Sequence, residues 1–349
     1  MRCAGSGWRA IAGIAPAFRV VVGVAVIGLN HGIAAAGIQA QAPSEARQKV
    51  DVQTLAKAQG GVKAQSSARA QPGVNAQSSG KALRGLPLNP DGAIRIYNLV
   101  GSVRISAWNR DSVAVRGAIG RGNSLHMGGG RTGMKMFVEG ADERNPQPAR
   151  LEISVPARSK VWIKTATADV DVSGVTGSLD IYVVGGTIRV AGNPADVNAE
   201  AIDGAIVITG SPAWVRAKSA SGTVILRGSS ADATLSTVSG GIVVSGAGFE
   251  RAKFETVTGS IGFNGSFQRG GSIDFETHGG AIDIGIPSGS PADFDIVSIA
   301  GSISNRLTKQ AVLAGRYGRG AELSTSNGGG GARVSIRSFK GPVTLRRIK

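Results

Sequence analysis

The strongest constraint on this chain is a unit of about eighteen residues that recurs between residues 197 and 285. Aligned on a glycine it reads DGAIVITG from Asp203, SGTVILRG from Ser221, SGGIVVSG from Ser239, TGSIGFNG from Thr258 and GGAIDIGI from Gly279. The glycines at 204, 222, 240, 259 and 280 are separated by 18, 18, 19 and 21 residues. One such unit cannot bury its own apolar face, so a fixed period of this size predicts stacked units that lean on their neighbours.

Each unit splits into two short β-branched runs joined by glycine corners. In the copy at Val215 these are Val215 to Ser219 and Thr223 to Arg227. Two strands and two corners make one flattened coil, and parallel stacking sets like residues in columns about 4.8 Å apart. The fold class expected is therefore all-β: a single-domain parallel β-helix or β-solenoid, right-handed, with about 18–21 residues per coil.

Alternation assigns the faces. The inward columns of the second run are Ile188, Ile206, Val224, Ile242, Ile261, Ile282 and Val190, Ile208, Leu226, Val244, Phe263, Ile284. Those of the first run are Val197, Val215, Ala233, Ala252, Ile273 and Ala199, Ala217, Leu235, Phe254, Phe275. Small residues follow at Ala201, Ser219, Thr237, Thr256 and Thr277, as at a tapering corner. Gly204, Gly222 and Gly259 are expected where positive φ or close stacking excludes a Cβ. Outward, the first run is polar. The second run places Val207, Ile225 and Val243 side by side, a candidate interaction stripe for self-association or for docking on another envelope component. Cover by residues 120–150 or by the linker is the alternative.

Before the array, residues 1–42 begin with Arg2, Arg9 and Arg19, cross an apolar run at 20–29 and end in Ala40-Gln41-Ala42. That is the layout of a signal peptide, with an uncleaved anchor as the competing reading. Residues 43–90 are rich in Ala, Gln, Ser, Gly and Lys and read as a disordered basic linker. Residues 1–90 hold ten Lys/Arg against two Asp/Glu, so half of the formal net charge of +16 sits there. The lone Cys3 precludes an intramolecular disulfide and a cysteine metal cage.

Residues 91–349 form the expected domain, with capping strands at 94–172, regular coils at 173–304 and a C-terminal cap at 305–349. Strand alternation starts at Ile94, breaks over 120–150 as a loop or hairpin excursion, and resumes at Leu151 up to Pro156. The run IRIYNLVGSVRISAW, a strand ending in VPA, and the ordered G-S/T/G/A-I/V-x-I/V blocks together resemble the bacterial putative-adhesin domain family over about residues 94–345. The resemblance implies a β-helical fold outside the cytoplasm in a family of unknown biochemical role. The chain departs from the family's glycine turn at Ala166-Thr167-Ala168-Asp169.

From Arg333 onward there are six basic residues and no acid. Arg333, Arg337, Lys340, Arg346 and Arg347 are read first as edge protection for the end of the stack and second as a candidate anionic-ligand patch. The three histidines, His31, His126 and His278, have no metal-ligand spacing. Asp169 and Asp171 are a close acid pair on one strand, both facing outward. No phosphate loop, nucleophile elbow or nucleotide fingerprint occurs, so no cofactor and no metal is expected. Nucleic-acid binding lacks its aromatic interleaving.

The expectation for function is a non-enzymatic exported domain, adhesive or structural, at the bacterial cell envelope, periplasmic, on the outer surface or secreted. Its partner would be a protein or a glycan there, with no membrane span after leader removal. The alternatives are a β-helix enzyme acting on acidic polysaccharide through Asp169 and Asp171, and a periplasmic scaffold or sensor.

Overall fold

The computed structural model describes residues 82–349 except 141, 143, 144, 316 and 317. The leader at 1–42, Cys3, His31 and the linker as far as residue 81 lie outside the described residues. The end of the stretch read as linker, Ala82–Pro87, is a strand.

The described residues are all-β, in one hydrogen-bonded sheet. The entry strands are β1 (Ala82–Pro87), β2 (Ala93–Trp108), β3 (Ser112–Ala118), β4 (Ser124–Gly130), β5 (Gly133–Glu139), β6 (Ala149–Pro156) and β7 (Lys160–Ser173). The repeats supply β8 (Ser178–Gly185), β9 (Ile188–Ala191), β10 (Asp196–Asp203), β11 (Ile206–Gly210), β12 (Trp214–Ser219), β13 (Val224–Gly228), β14 (Asp232–Thr237), β15 (Ile242–Thr256), β16 (Ile261–Thr277) and β17 (Ile282–Pro287). The chain ends in β18 (Ala292–Ser298), β19 (Ile303–Arg306), β20 (Leu313–Ala314), β21 (Ala321–Asn327), β22 (Ala332–Ser338) and β23 (Val343–Ile348).

The repeat fixes the pairing. In a first parallel ladder Leu179 pairs with Val197, Val197 with Val215 and Val215 with Ala233, eighteen residues apart at each step. In a second, Ile188, Ile206, Val224 and Ile242 follow one another in the same way. All the inward columns read from alternation are buried. Where the period grows to 19 and then 21, the extra residues carry Phe249 and Phe267, which pair with each other. Phe267 stacks on Phe263 with centroids 4.8 Å apart and Phe249 meets it edge-on at 5.8 Å, so longer coils are filled with rings rather than left hollow.

The small residues at the corner do more than taper. The hydroxyls of Ser219, Thr237, Thr256 and Thr277 accept the N–H of the glycine three residues on, at 2.9–3.1 Å. Ser219, Thr237 and Thr256 also donate to a glycine carbonyl of the preceding coil. Each therefore satisfies a buried backbone donor where the ladder is interrupted. Gly222 sits there because the Gly204 carbonyl oxygen would lie 1.9 Å from its Cβ, so close stacking rather than positive φ demands the glycine.

Antiparallel strands close both ends. The excursion over 120–150 contains the hairpin β4–β5, whose β5 runs parallel to the first half of β2, while β3 pairs antiparallel with β6 and β1. Through Ala166 to Asp169 β7 runs on without a glycine turn, Thr167 to Asp169 pairing with Val100 to Ser102, but alternation changes phase there: Ile163 and Thr165 are buried before it, Ala168 and Val170 after it. At the other end the C-terminal tail does not cap the stack. β22 lies between β16 and β18, and β23 between β17 and β19. The last parallel positions belong to β18 and β19, with β21 added antiparallel on β18 and β20 antiparallel on β21. The chain thus skips one layer after Pro287 and returns to fill it only with β22, from Ala332, and β23.

Candidate interaction surfaces

The second ladder places the candidate stripe as alternation requires: Val207 pairs with Ile225 and Ile225 with Val243. Val243 is 43% exposed and the other two are half-buried. The hairpin of the excursion pairs with β2 in the other ladder, so it is not what lies beside them. The stripe is bounded by charge on each side. On one, Asp171 takes Arg104 at 3.9 Å and Arg189 at 3.6 Å. On the other, Asp283 takes the Arg346 Nε at 2.9 Å, and the same guanidinium donates to Asn264 Oδ1.

The carboxylates of the acid pair are therefore engaged by the fold: Asp171 by the two arginines, and Asp169 by the backbone N–H of Thr187 at 2.8 Å. Among the described residues no group of three or more potential metal ligands occurs. His278 is stacked on Phe339 with centroids 4.7 Å apart.

The five basic residues of the tail are not brought into one patch. Arg333 and Arg337 face outward on the first ladder, beside a groove of about 840 Å³ that also holds Asp274, Asp293 and Asp295. Arg337 is bound to Asp295 at 2.6 Å. Lys340 lies at a corner over the Phe339 ring, Arg346 is on the second ladder, and Arg347 donates to the Leu307 carbonyl. The reason is topological, since β22 and β23 belong to different ladders.

A longer apolar feature was not singled out from the sequence. The residue following each small corner residue points outward, and these positions stack coil on coil through Val184, Ile202, Ala220, Val238, Val257, His278, Phe339 and Ile299. Of the eight exposed large apolar side chains among the described residues, six lie at such positions: Leu99, Val184, Val238, Val257, Phe339 and Ile299. From Val184 to Ile299 the ridge crosses seven strand spacings, about 34 Å. The pattern Ser/Thr, apolar, any residue, Gly is visible in TVSG, TVTG, SIAG and SFKG and could have revealed it.

The first ladder carries a second groove, about 630 Å³, at its N-terminal end, between Tyr97 and Trp162 on one side and Trp214 on the other. Tyr97 and Trp162 are in ring contact, with centroids 4.9 Å apart.

No family model matches the sequence, and no curated protein matches it. Solved structures do. A putative adhesin from Bacteroides fragilis is 14% identical, over 77% of this chain and 97% of its own, with a TM-score of 0.41. A putative adhesin from Parabacteroides distasonis is 10% identical, over 76% and 98%, with a TM-score of 0.42. A structure described as a putative lipid binding protein, also from Parabacteroides distasonis, is similar at 13% identity, over 75% and 96%, with a TM-score of 0.38. Among the described residues no helix is long and apolar enough to cross a membrane.

Proposed function

We propose that the chain is an exported, non-enzymatic, right-handed β-solenoid that works by surface contact at the bacterial cell envelope, as an adhesin-like domain. The solenoid reading is supported by the repeated pairing of residue i with residue i+18 in both ladders. The contact reading is carried by the apolar ridge. Soluble surfaces scatter single apolar residues, but six of eight aligned along one corner form a line that solvent penalises at every step. A ridge one side chain wide fits the groove of a partner protein, or of a second copy, better than a flat membrane.

Fractionation of the producing cells, followed by in-cell cross-linking, tests this reading. The full chain is expected in the envelope fraction, with cross-linked adducts that disappear in a Val238→Lys/Val257→Lys double variant and persist in Val243→Lys. Loss of the adducts in Val243→Lys alone would move the contact to the Val207–Ile225–Val243 stripe. Retention of the wild-type chain in the cytosol, or adducts indifferent to all three substitutions, would sink the proposal.

A further inference from the structure

We infer that the aromatic groove on the first ladder is a binding site for a neutral oligosaccharide. This goes beyond the contact role of the ridge and stands on a different set of residues.

The first observation is where the rings lie. Both described tyrosines, Tyr97 and Tyr182, and two of the three described tryptophans, Trp162 and Trp214, are half-buried on the outward face of β2, β7, β8 and β12. Farther along the same face the outward residues are Thr234, Ser236, Lys253, Glu255 and Asp274, with no ring among them. Rings that point away from the core and gather at one end of a ladder are not explained by filling that core.

The second is the spacing. Trp162 and Trp214 are separated by β8 and β10, three strand spacings or about 14 Å, across a flat floor. With a volume of about 630 Å³ the groove lies within the usual range of ligand sites, and its length suits a short chain of rings better than one small solute.

The third is the chemistry of the floor. Ser178 Oγ donates to Asp196 Oδ2 at 3.0 Å, and Asn198 Nδ2 donates to Asp180 Oδ1 at 3.0 Å. Those two bonds use donors of the floor and leave carboxylate lone pairs open, while Asn198 Oδ1 is buried without a partner and would need a small side-chain shift to accept from a ligand. A floor of open acceptors takes a ligand rich in O–H donors. Net charge of either sign is disfavoured. Asp180 and Asp196 repel an anion, and a cation meets Arg95 and Lys160 on the rim, with Lys164 already over Tyr182 at 5.5 Å and Lys135 over Tyr97 at 5.1 Å. Hydroxyl-rich, uncharged and flat-faced, a neutral sugar chain meets all three conditions: its C–H faces lie on the indoles and its hydroxyls reach the carboxylates.

The test titrates the full chain with cellotetraose, mannotetraose and chitotetraose, with tetragalacturonate and tetramethylammonium as charged probes, read by tryptophan fluorescence and by calorimetry. At least one neutral tetrasaccharide is expected to bind saturably. Its affinity should fall about tenfold or more in Trp214→Ala and in Asn198→Ala, and stay within about threefold in Trp214→Phe. Trp162→Ala joins the series if its melting is native-like; otherwise the other two variants decide. Binding by none of the neutral probes, binding by the charged probes alone, or affinities unchanged in both Trp214→Ala and Asn198→Ala would overturn the assignment. The cross-linking of the ridge variants is read separately, so either idea can fail without the other.

Discussion

Gly204 and Gly222 lie one coil apart at the same corner, with the Gly204 carbonyl oxygen 1.9 Å from where a Cβ on Gly222 would stand. The contact is to backbone, and the next coils repeat it, with Gly222 oxygen 2.0 Å from a Cβ at Gly240. Neither partner can move without shifting a whole coil. Gly222→Ala should therefore cost about 3 kcal/mol or more, the upper end for an overpacked site. Gly128, with nothing within 4 Å of its would-be Cβ, is the control. Gly128→Ala should be neutral or stabilising by about 0.4–1 kcal/mol. Denaturant midpoints measured on the two variants separate these outcomes, and equal effects would remove close stacking as the reason for the repeat.

The corner hydroxyls make a second prediction. Thr256 accepts from Gly259 N–H at 3.0 Å and is buried. Thr256→Val keeps the shape and strands that N–H, at a cost of about 1–3 kcal/mol, whereas Thr256→Ser keeps the acceptor and should lose less. Thermal unfolding of both variants checks the order. A valine variant as stable as the serine one would mean that the hydroxyl is incidental.

How far the fold was legible follows from what each residue encodes. Period and alternation act on neighbours in one coil and the next, so the ladders, the buried columns and the Val207–Ile225–Val243 stripe could be read directly. The order of the last layers could not. SIAG from Ser298 and SFKG from Ser338 carry the same corner pattern, so nothing local in either coil says which stands outermost. The basic tail misled for the same reason: Arg337 and Arg346 are near in sequence, yet their strands join different ladders and bind different carboxylates. Trp214 was passed over because it stands one residue ahead of the apolar alternation that begins at Val215.

On the polar face of the first ladder, Lys253 is bound to Glu255 and reaches Glu276 at 3.5 Å. Burial comes first in holding the Glu276 carboxyl above its ordinary range, and Glu255 adds to it. The hydrogen bond to Glu255 comes first in raising Lys253. For Glu276 the sign is the reverse of a paired carboxylate. Between its unfolded and its raised folded pKa, the native state binds more protons than the unfolded one, so this group's contribution to stability falls as pH rises through that window. Glu276→Gln should then match or exceed the wild type in melting temperature at pH 7.5, with the advantage shrinking towards pH 4.5. A variant that loses stability at pH 7.5 would show that the Lys253 contact outweighs the burial.

The intercalated coil makes the sharpest prediction, because it separates this topology from a stack capped by its tail. Val334, Ile336, Val343 and Leu345 are at most 2% exposed and lie between layers on both sides. Burying four such side chains is worth about 6–12 kcal/mol before entropy, as much as a whole domain's net stability. Deleting residues 332–349 should therefore open a gap inside the stack: amide exchange should lose protection in β17 and β18 together, and β19 to β21 should come away with them. Were the tail an outer cap, the deletion would fray a single edge and leave β18 protected. Protection of β18 unchanged in the truncated chain would contradict the pairing of β22 with β16 and β18, and with it the skipped layer after Pro287.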